Sequence, residues 1–159
     1  DMEPNIAYIE IIVQHDESNE RAPAPGQLGQ VLPKWPEECD TVDVEIDMDD
    51  VNGWVEEGST TSSSSSDCPS VQILRVFMIQ NYTGQNYQTQ GSKNSILAMY
   101  DDAGQGRGDW LAEITVTANA GGPNGPTGNR DSGEEVTIAW RAVAVEVEVT
   151  KSVDTTIEL

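Results

Sequence analysis

Apolar and polar residues alternate with period two over residues 42–48, where Val42, Val44, Ile46 and Met48 interleave with Asp43, Glu45, Asp47 and Asp49. Successive side chains of an extended chain point to opposite faces, so this pattern predicts a strand with one buried face and one face of carboxylates. Residues 5–13 predict another strand, rich in Ile and Val and apolar on both faces. Residues 71–79 form an apolar run broken only by Gln72 and Arg75, and their β-branched content predicts a central strand covered on both sides. In residues 110–118, Ile114, Val116 and Ala118 alternate with Thr115 and Thr117. Residues 136–149 predict a long strand in which Val136, Ile138 and Trp140 set one parity and Val143, Val145, Val147 and Val149 the other. A switch near Ala142 is what a β-bulge or a crossing between sheets produces. Val153, Ile157 and Leu159 predict a last edge or docking strand.

The segments between these strands are long and polar. Residues 14–36 carry Pro23, Pro25, Gly26, Gly29, Pro33 and Pro36, a composition that resists ladder pairing and predicts an extended arm or binding loop. Residues 50–55 suit one helical turn, with Asp50 as its cap and Val51, Trp54 and Val55 on one face, ended by Gly58. The Ser/Thr run at 59–66 predicts a mobile loop or hairpin tip. Residues 94–103 are the best helix candidate, since Ile96, Met99 and Tyr100 fall at i, i+3 and i+4 and Gly104 stands at a C-cap position. Residues 119–133 hold five glycines and two prolines and predict a long exposed loop. Six or seven strands, one short helix and long polar loops indicate a mainly β chain: an antiparallel β-sandwich or β-barrel forming a single domain over residues 1–159.

Charge changes this picture more than composition does. The chain of 159 residues has 28 acidic and 8 basic residues, a net charge of −20, while its total of charged residues is ordinary. Ten carboxylates and no Lys or Arg fall within residues 37–57. Such a surface repels nucleic acid and anionic membranes, so direct nucleic-acid binding is not expected. Salt screens the self-repulsion, and only Lys34, Lys93 and Lys151 supply lysine; a saline environment and an acidic mesophilic surface both account for this. No stretch has the roughly 18 apolar residues of a membrane span. The apolar run near the start is only residues 11–13, so no signal peptide is expected within the chain.

The chemistry-bearing residues are few. Cys39 and Cys68 lie in polar, loop-like sequence. A bridge between them would stabilise the fold by about 3–4 kcal/mol in the chain-entropy model, and two unpaired thiols are the alternative in a reducing compartment. His15 is the one histidine and sits at a polar strand exit, which predicts a surface position rather than a catalytic base. The glycines of residues 104–108 predict a turn, not a phosphate cradle. Residues 47–53 begin like an EF-hand loop, but Val51 stands at position 5 and Gly58 at position 12, so that motif is excluded. A looser oxygen site for Ca²⁺ at this strand end stays open; otherwise no cofactor is expected. Asn81 opens a glycosylation sequon that matters only in a secreted chain. Of the four tryptophans, Trp110 and Trp140 are expected in the core, and Trp35, between Pro33 and Pro36, is expected to dock against its own domain or a neighbour.

From Glu37 onward the layout resembles the major tail tube proteins of long-tailed viruses. An acidic alternating strand (40–49) runs into 50–58, a short amphipathic helix (95–103) precedes the strand 111–117, and a final strand pair follows at 135–150 and 153–159. The resemblance implies a sandwich that stacks in rings, with the 14–36 arm and the loops 59–66 and 119–133 making contacts between rings. With no catalytic signature, the expectation is a non-enzymatic structural subunit, either of a virion (tail tube, capsid or decoration) or of an extracellular filament or pilus. Its partners would be copies of itself and other assembly proteins. The other class left open is a secreted module that binds carbohydrate or a protein partner.

Overall fold

A computed structural model of the protein describes residues 5–16, 39–82, 84–86, 88–119 and 135–151. The remainder of the arm at 14–36, most of the 119–133 loop, Trp35 and the 153–159 segment lie outside the described residues. The elements are β1 (Ile6–Asp16), β2 (Thr41–Asp47), β3 (Val51–Asn52), β4 (Ser62–Ser65), β5 (Ser70–Phe77), α1 (Lys93–Met99), β6 (Arg107–Gly108), β7 (Leu111–Thr117) and β8 (Glu135–Ala144).

Two antiparallel three-stranded sheets, ordered β5-β1-β8 and β4-β2-β7, pack face to face, with a two-stranded β3-β6 ribbon beside them. The chain is mainly β and sandwich-like; it is not a closed barrel. Alternation explains which faces meet. Ile11 and Val13 of β1, Leu74 and Val76 of β5, and Val42, Val44 and Ile46 of β2 form one buried cluster with Met78. The carboxylates of Asp43, Glu45 and Asp47 accordingly point outward, as the period-two pattern requires. Gln72 reaches across the interior, its amide nitrogen donating to the Val42 carbonyl at 3.1 Å.

Among the described residues, the sandwich closes along one side. β4 lies beside β5, and the chain leading into β4 adds backbone bonds to the β5 edge: Val55 N–H donates to Phe77 O at 2.7 Å and Thr60 N–H to Arg75 O at 2.7 Å. Ser59 adds a side-chain link, accepting from Phe77 N–H at 3.0 Å.

Several sequence expectations are corrected. β5 is an edge of its hydrogen-bonded sheet and covers one face only, with Val71 and Ile73 exposed; β1 is the central strand. Both runs are apolar enough to be central, and the pairing of β1 with β5 and β8 decides between them. β1 continues to Asp16, so His15 is a buried strand residue aligned with Ser70 and Val136 rather than a surface one. The serine run is a strand: β4 pairs with β2 from Val42↔Ser65 to Glu45↔Ser62, because its flanks are already bonded to both sheets. Residues 51–52 are extended, not helical, since β3 pairs with β6. α1 begins at Lys93 behind the cap Ser92, whose Oγ accepts from Ser95 N–H at 3.1 Å, and ends at Met99 with Tyr100 as its C-cap, rather than at 103. Gly104 therefore serves the following turn, not the helix end.

The parity switch near Ala142 also has another origin. β8 pairs without interruption to Val143, and the irregularity lies in β1, where Ala7 is the extra residue between Ile6↔Ala144 and Tyr8↔Val143. Ala7 is fully buried and its carbonyl accepts from Met78 N–H. Regular pairing of β8 ends at Ala144, five residues before the expected end.

Gly104 and Gly106 lie in a turn, as expected, whereas Gly108 belongs to β6 and pairs with Val51. Gly108 has φ +136, and a Cβ there would lie 2.1 Å from the Asp50 carbonyl oxygen. That obstacle is backbone and cannot rotate away. Gly108→Ala is therefore expected to cost at least about 2 kcal/mol, combining left-handed strain with the clash, measured by urea denaturation.

Candidate functional site

The described surface offers three features built from the two sheets. The first is the outward face of β5-β1-β8. Each of these apolar strands carries one charge in its middle, and register brings the three into a row: Glu10↔Arg75 and Glu10↔Arg141. Glu10 is 1 % exposed although it points away from the core, because the two guanidiniums cover it. Arg75 Nε lies 2.5 Å from Glu10 Oε2, and Arg141 Nη2 lies 2.6 Å from Oε1. The hydrogen bond to Glu10 holds the Arg75 guanidinium above its ordinary value. One carboxylate against two cations satisfies both oxygens, which a buried carboxylate needs. Beside this row Tyr8, Phe77 and Tyr82 cluster at centroid distances of 5.5–6.5 Å, Tyr8 stacking on Tyr82 and Phe77 meeting Tyr82 edge-on, and Arg75 lies over the Tyr8 ring.

The second feature is the opposite outward face, on β4-β2-β7. Asp43, Glu45, Ser62, Ser64, Glu113 and Thr115 line a shallow groove of about 380 Å³. Glu45 stands directly opposite Glu113, a like-charge pair that salt relieves. Among the described residues, no three His, Cys, Asp or Glu side chains converge as a metal would require. At the strand end considered for Ca²⁺, Asp47 Oδ1 accepts Asp49 N–H at 2.9 Å, and Asp49 and Asp50 point to solvent.

The third feature is the open side of the sandwich, between β7 and β8. No described strand pairs with the outer edge of either. Direct cross-strand partners share a face, so Val116 (opposite Val42) and Ile138 and Trp140 (opposite Val13 and Ile11) have core orientation. They nevertheless remain 41, 44 and 43 % exposed. Trp140 thus has the parity expected of a core residue without the coverage. Trp110 packs against the core, its indole N–H donating to Gly106 O at 3.1 Å.

Two latches hold the ends of the sheets. Asp102, buried after α1, accepts Ile6 N–H at 2.7 Å, Gly104 N–H at 2.8 Å and Arg107 Nη2 at 3.2 Å, tying the start of β1 to the 101–108 turn. At the other end, Asp40 Oδ1 accepts Asn119 N–H at 2.6 Å, and Cys39 is joined to Cys68 in a disulfide with Cα atoms 5.8 Å apart. Asn81 is exposed in the turn after β5.

Both ring nitrogens of His15 are buried without a hydrogen-bond partner. Glu10 and Asp102 were not singled out by sequence. The available signal for Glu10 was a lone charge in each of three apolar runs; Asp102 had none, because the contact that buries it against β1, with Ile6, is 96 residues away in sequence. No known family model, characterised protein or solved structure matches the chain.

Two predictions follow from these networks. Glu10→Gln is expected to lower stability by about 1–3 kcal/mol in denaturant titration, since both arginines lose a charged acceptor. Burial alone would push the Asp102 carboxyl up, but the Ile6 and Gly104 N–H groups and the Arg107 charge outweigh it and hold the carboxyl below its ordinary value. Its unfolded form takes up a proton near pH 4, whereas the folded form does so only lower. Asp102 thus stabilises the fold fully above about pH 5, and that contribution is lost as pH falls through the folded value. Asp102→Asn is expected to flatten the acid limb of Tm against pH.

Proposed function

We propose that this chain is a non-enzymatic structural subunit of a repeating assembly, made of copies of itself and further assembly proteins. The observation that carries this reading is the open side of the sandwich. Exposed, unprotected strand edges are normally blunted because they recruit other chains. Among the described residues, two unpaired edges flank core-oriented Val116, Ile138 and Trp140, the composition of a surface completed by association. The exposed Val71 and Ile73 on the outer face of β5 add a second apolar contact area.

The layout supports a virion component, tail tube, capsid or decoration, and the same features serve a cell-surface filament. The disulfide favours an oxidising site, on a virion or outside the cell. In this reading the acidic face of β4-β2-β7 is turned to saline solvent or to a lumen, and subunit contacts are made elsewhere.

Sedimentation of the purified protein in molar salt tests the proposal. Concentration-dependent oligomers or filaments are expected; a strict monomer at high concentration overturns it. Replacing Asp43, Glu45 and Asp47 by Asn and Gln should lower the salt needed for stability and leave assembly intact. Loss of assembly in that variant would make the acidic face itself an interface.

A further inference from the structure

We infer that two copies of this chain join along the edge of β8 that faces away from β1, pairing antiparallel about a twofold axis at Ile138. This rests on the self-assembly reading and deepens it by naming one subunit contact.

Three observations carry it. The first is the edge. Among the described residues, no strand pairs with β8 on the side away from β1. Val145 N–H donates to Asn5 O on the β1 side at 2.9 Å, and β8 itself runs without a bulge. Backbone groups alternate between the two sides of a strand, so those of Val136, Ile138, Trp140 and Ala142 turn to the outer edge.

The second is apolar pattern. Val136, Ile138 and Trp140 share the core-oriented face, with Ile138 and Trp140 left 44 and 43 % exposed. Direct cross-strand partners share a face. Pairing centred on Ile138 therefore sets Ile138 against its own copy and Val136 against Trp140 of the other, twice over. Each copy covers apolar residues that the other's sandwich leaves open.

The third is charge. On the outer face, β8 carries opposite excesses along its length. Toward its end, Arg141 shares Glu10 with Arg75, two cations on one carboxylate. At its start, Glu135 stands directly opposite Asp16, two exposed carboxylates. Antiparallel pairing on Ile138 places Glu135 of each copy opposite Arg141 of the other, so each excess meets its counter-charge. The Arg141 side chain is 58 % exposed and accessible to that second carboxylate. Moving the axis to Ala139, Trp140 or Arg141 would set Arg141 opposite Thr137, Ala139 or Arg141 itself. The axis at Ile138 satisfies face and charge together.

Such a contact uses the same strand on both copies, so it closes at two and merges two three-stranded sheets into one. Growth beyond the pair then needs a second surface, such as the exposed Val71 and Ile73 on β5.

The test uses the full chain carrying Thr137→Cys or Ala139→Cys, oxidised in molar salt with the native bridge kept and cross-links mapped by mass spectrometry. Both residues are exposed on the outer face. Thr137 of one copy lies directly opposite Ala139 of the other, within reach of a disulfide. Like positions lie a diagonal of about 8 Å apart, too far for one. A 137–139 linked dimer on mixing the two variants is expected, with little linkage of either alone. Equal linkage alone and mixed overturns the register. Assembly without a 137–139 link overturns the contact and leaves the proposed function standing, whereas an unmodified chain that stays monomeric in molar salt overturns the function itself. Glu135→Arg is expected to weaken dimerisation about tenfold, since each dimer holds the ion pair twice. Glu148→Arg makes the same charge change outside the paired segment and should not weaken it; equal weakening by both overturns the match of Glu135 with Arg141.

Discussion

The inward faces of β1, β5 and β2 meet in an apolar contact in which Ile11, Val13, Leu74 and Val76 pack with Val42, Val44 and Ile46. Every other feature is referred to this contact through strand register. Because side chains alternate, a slip of one residue in β2 would drive Asp43 and Glu45 into the interior and turn three buried apolar residues to water. The same constraint on β1 places Glu10 on the outside, where Arg75 and Arg141 arrive from both neighbouring strands.

Segregation of charge follows from that register. One outer face gathers two arginines around a buried carboxylate and is nearly neutral, with apolar residues beside them. The other carries Asp43, Glu45, Asp47 and Glu113, with Glu113 facing Glu45 across a strand pair. Of the two sheets, the one bearing these four carboxylates presents them beside serines and solvent, while the other keeps a weakly charged outer face. Screening by salt acts on the first without weakening hydrophobic burial at the second.

Much of the fold was legible as pattern. The alternation at 42–48 and 111–117 predicts both the strands and their buried faces, since period-two amphipathicity is a local property. The helix was legible from its spacing, although its end was not, because Tyr100 turns into the buried side and Asp102 is claimed by Ile6 and Arg107. The serine run carries no strand signal for a physical reason: strand 62–65 has no apolar pattern, and its backbone is ordered by neighbours already in place. His15 was placed outside because flanking polar residues resemble a strand exit, while pairing of β1 runs on to Asp16.

The candidate contact surfaces divide in the same way. Sequence alone determined that the chain is β-rich and that the acids of residues 43–47 alternate with a buried apolar face. These depend only on residue type and spacing along one extended segment. Only the tertiary structure decided that β1 rather than β5 is central, that Glu10 unites Arg75 and Arg141, and that Ile138 and Trp140 have core orientation without cover. Those outcomes depend on which strands pair and which edges are left free, and strand pairing is set by contacts between residues far apart in sequence, which a local pattern does not encode.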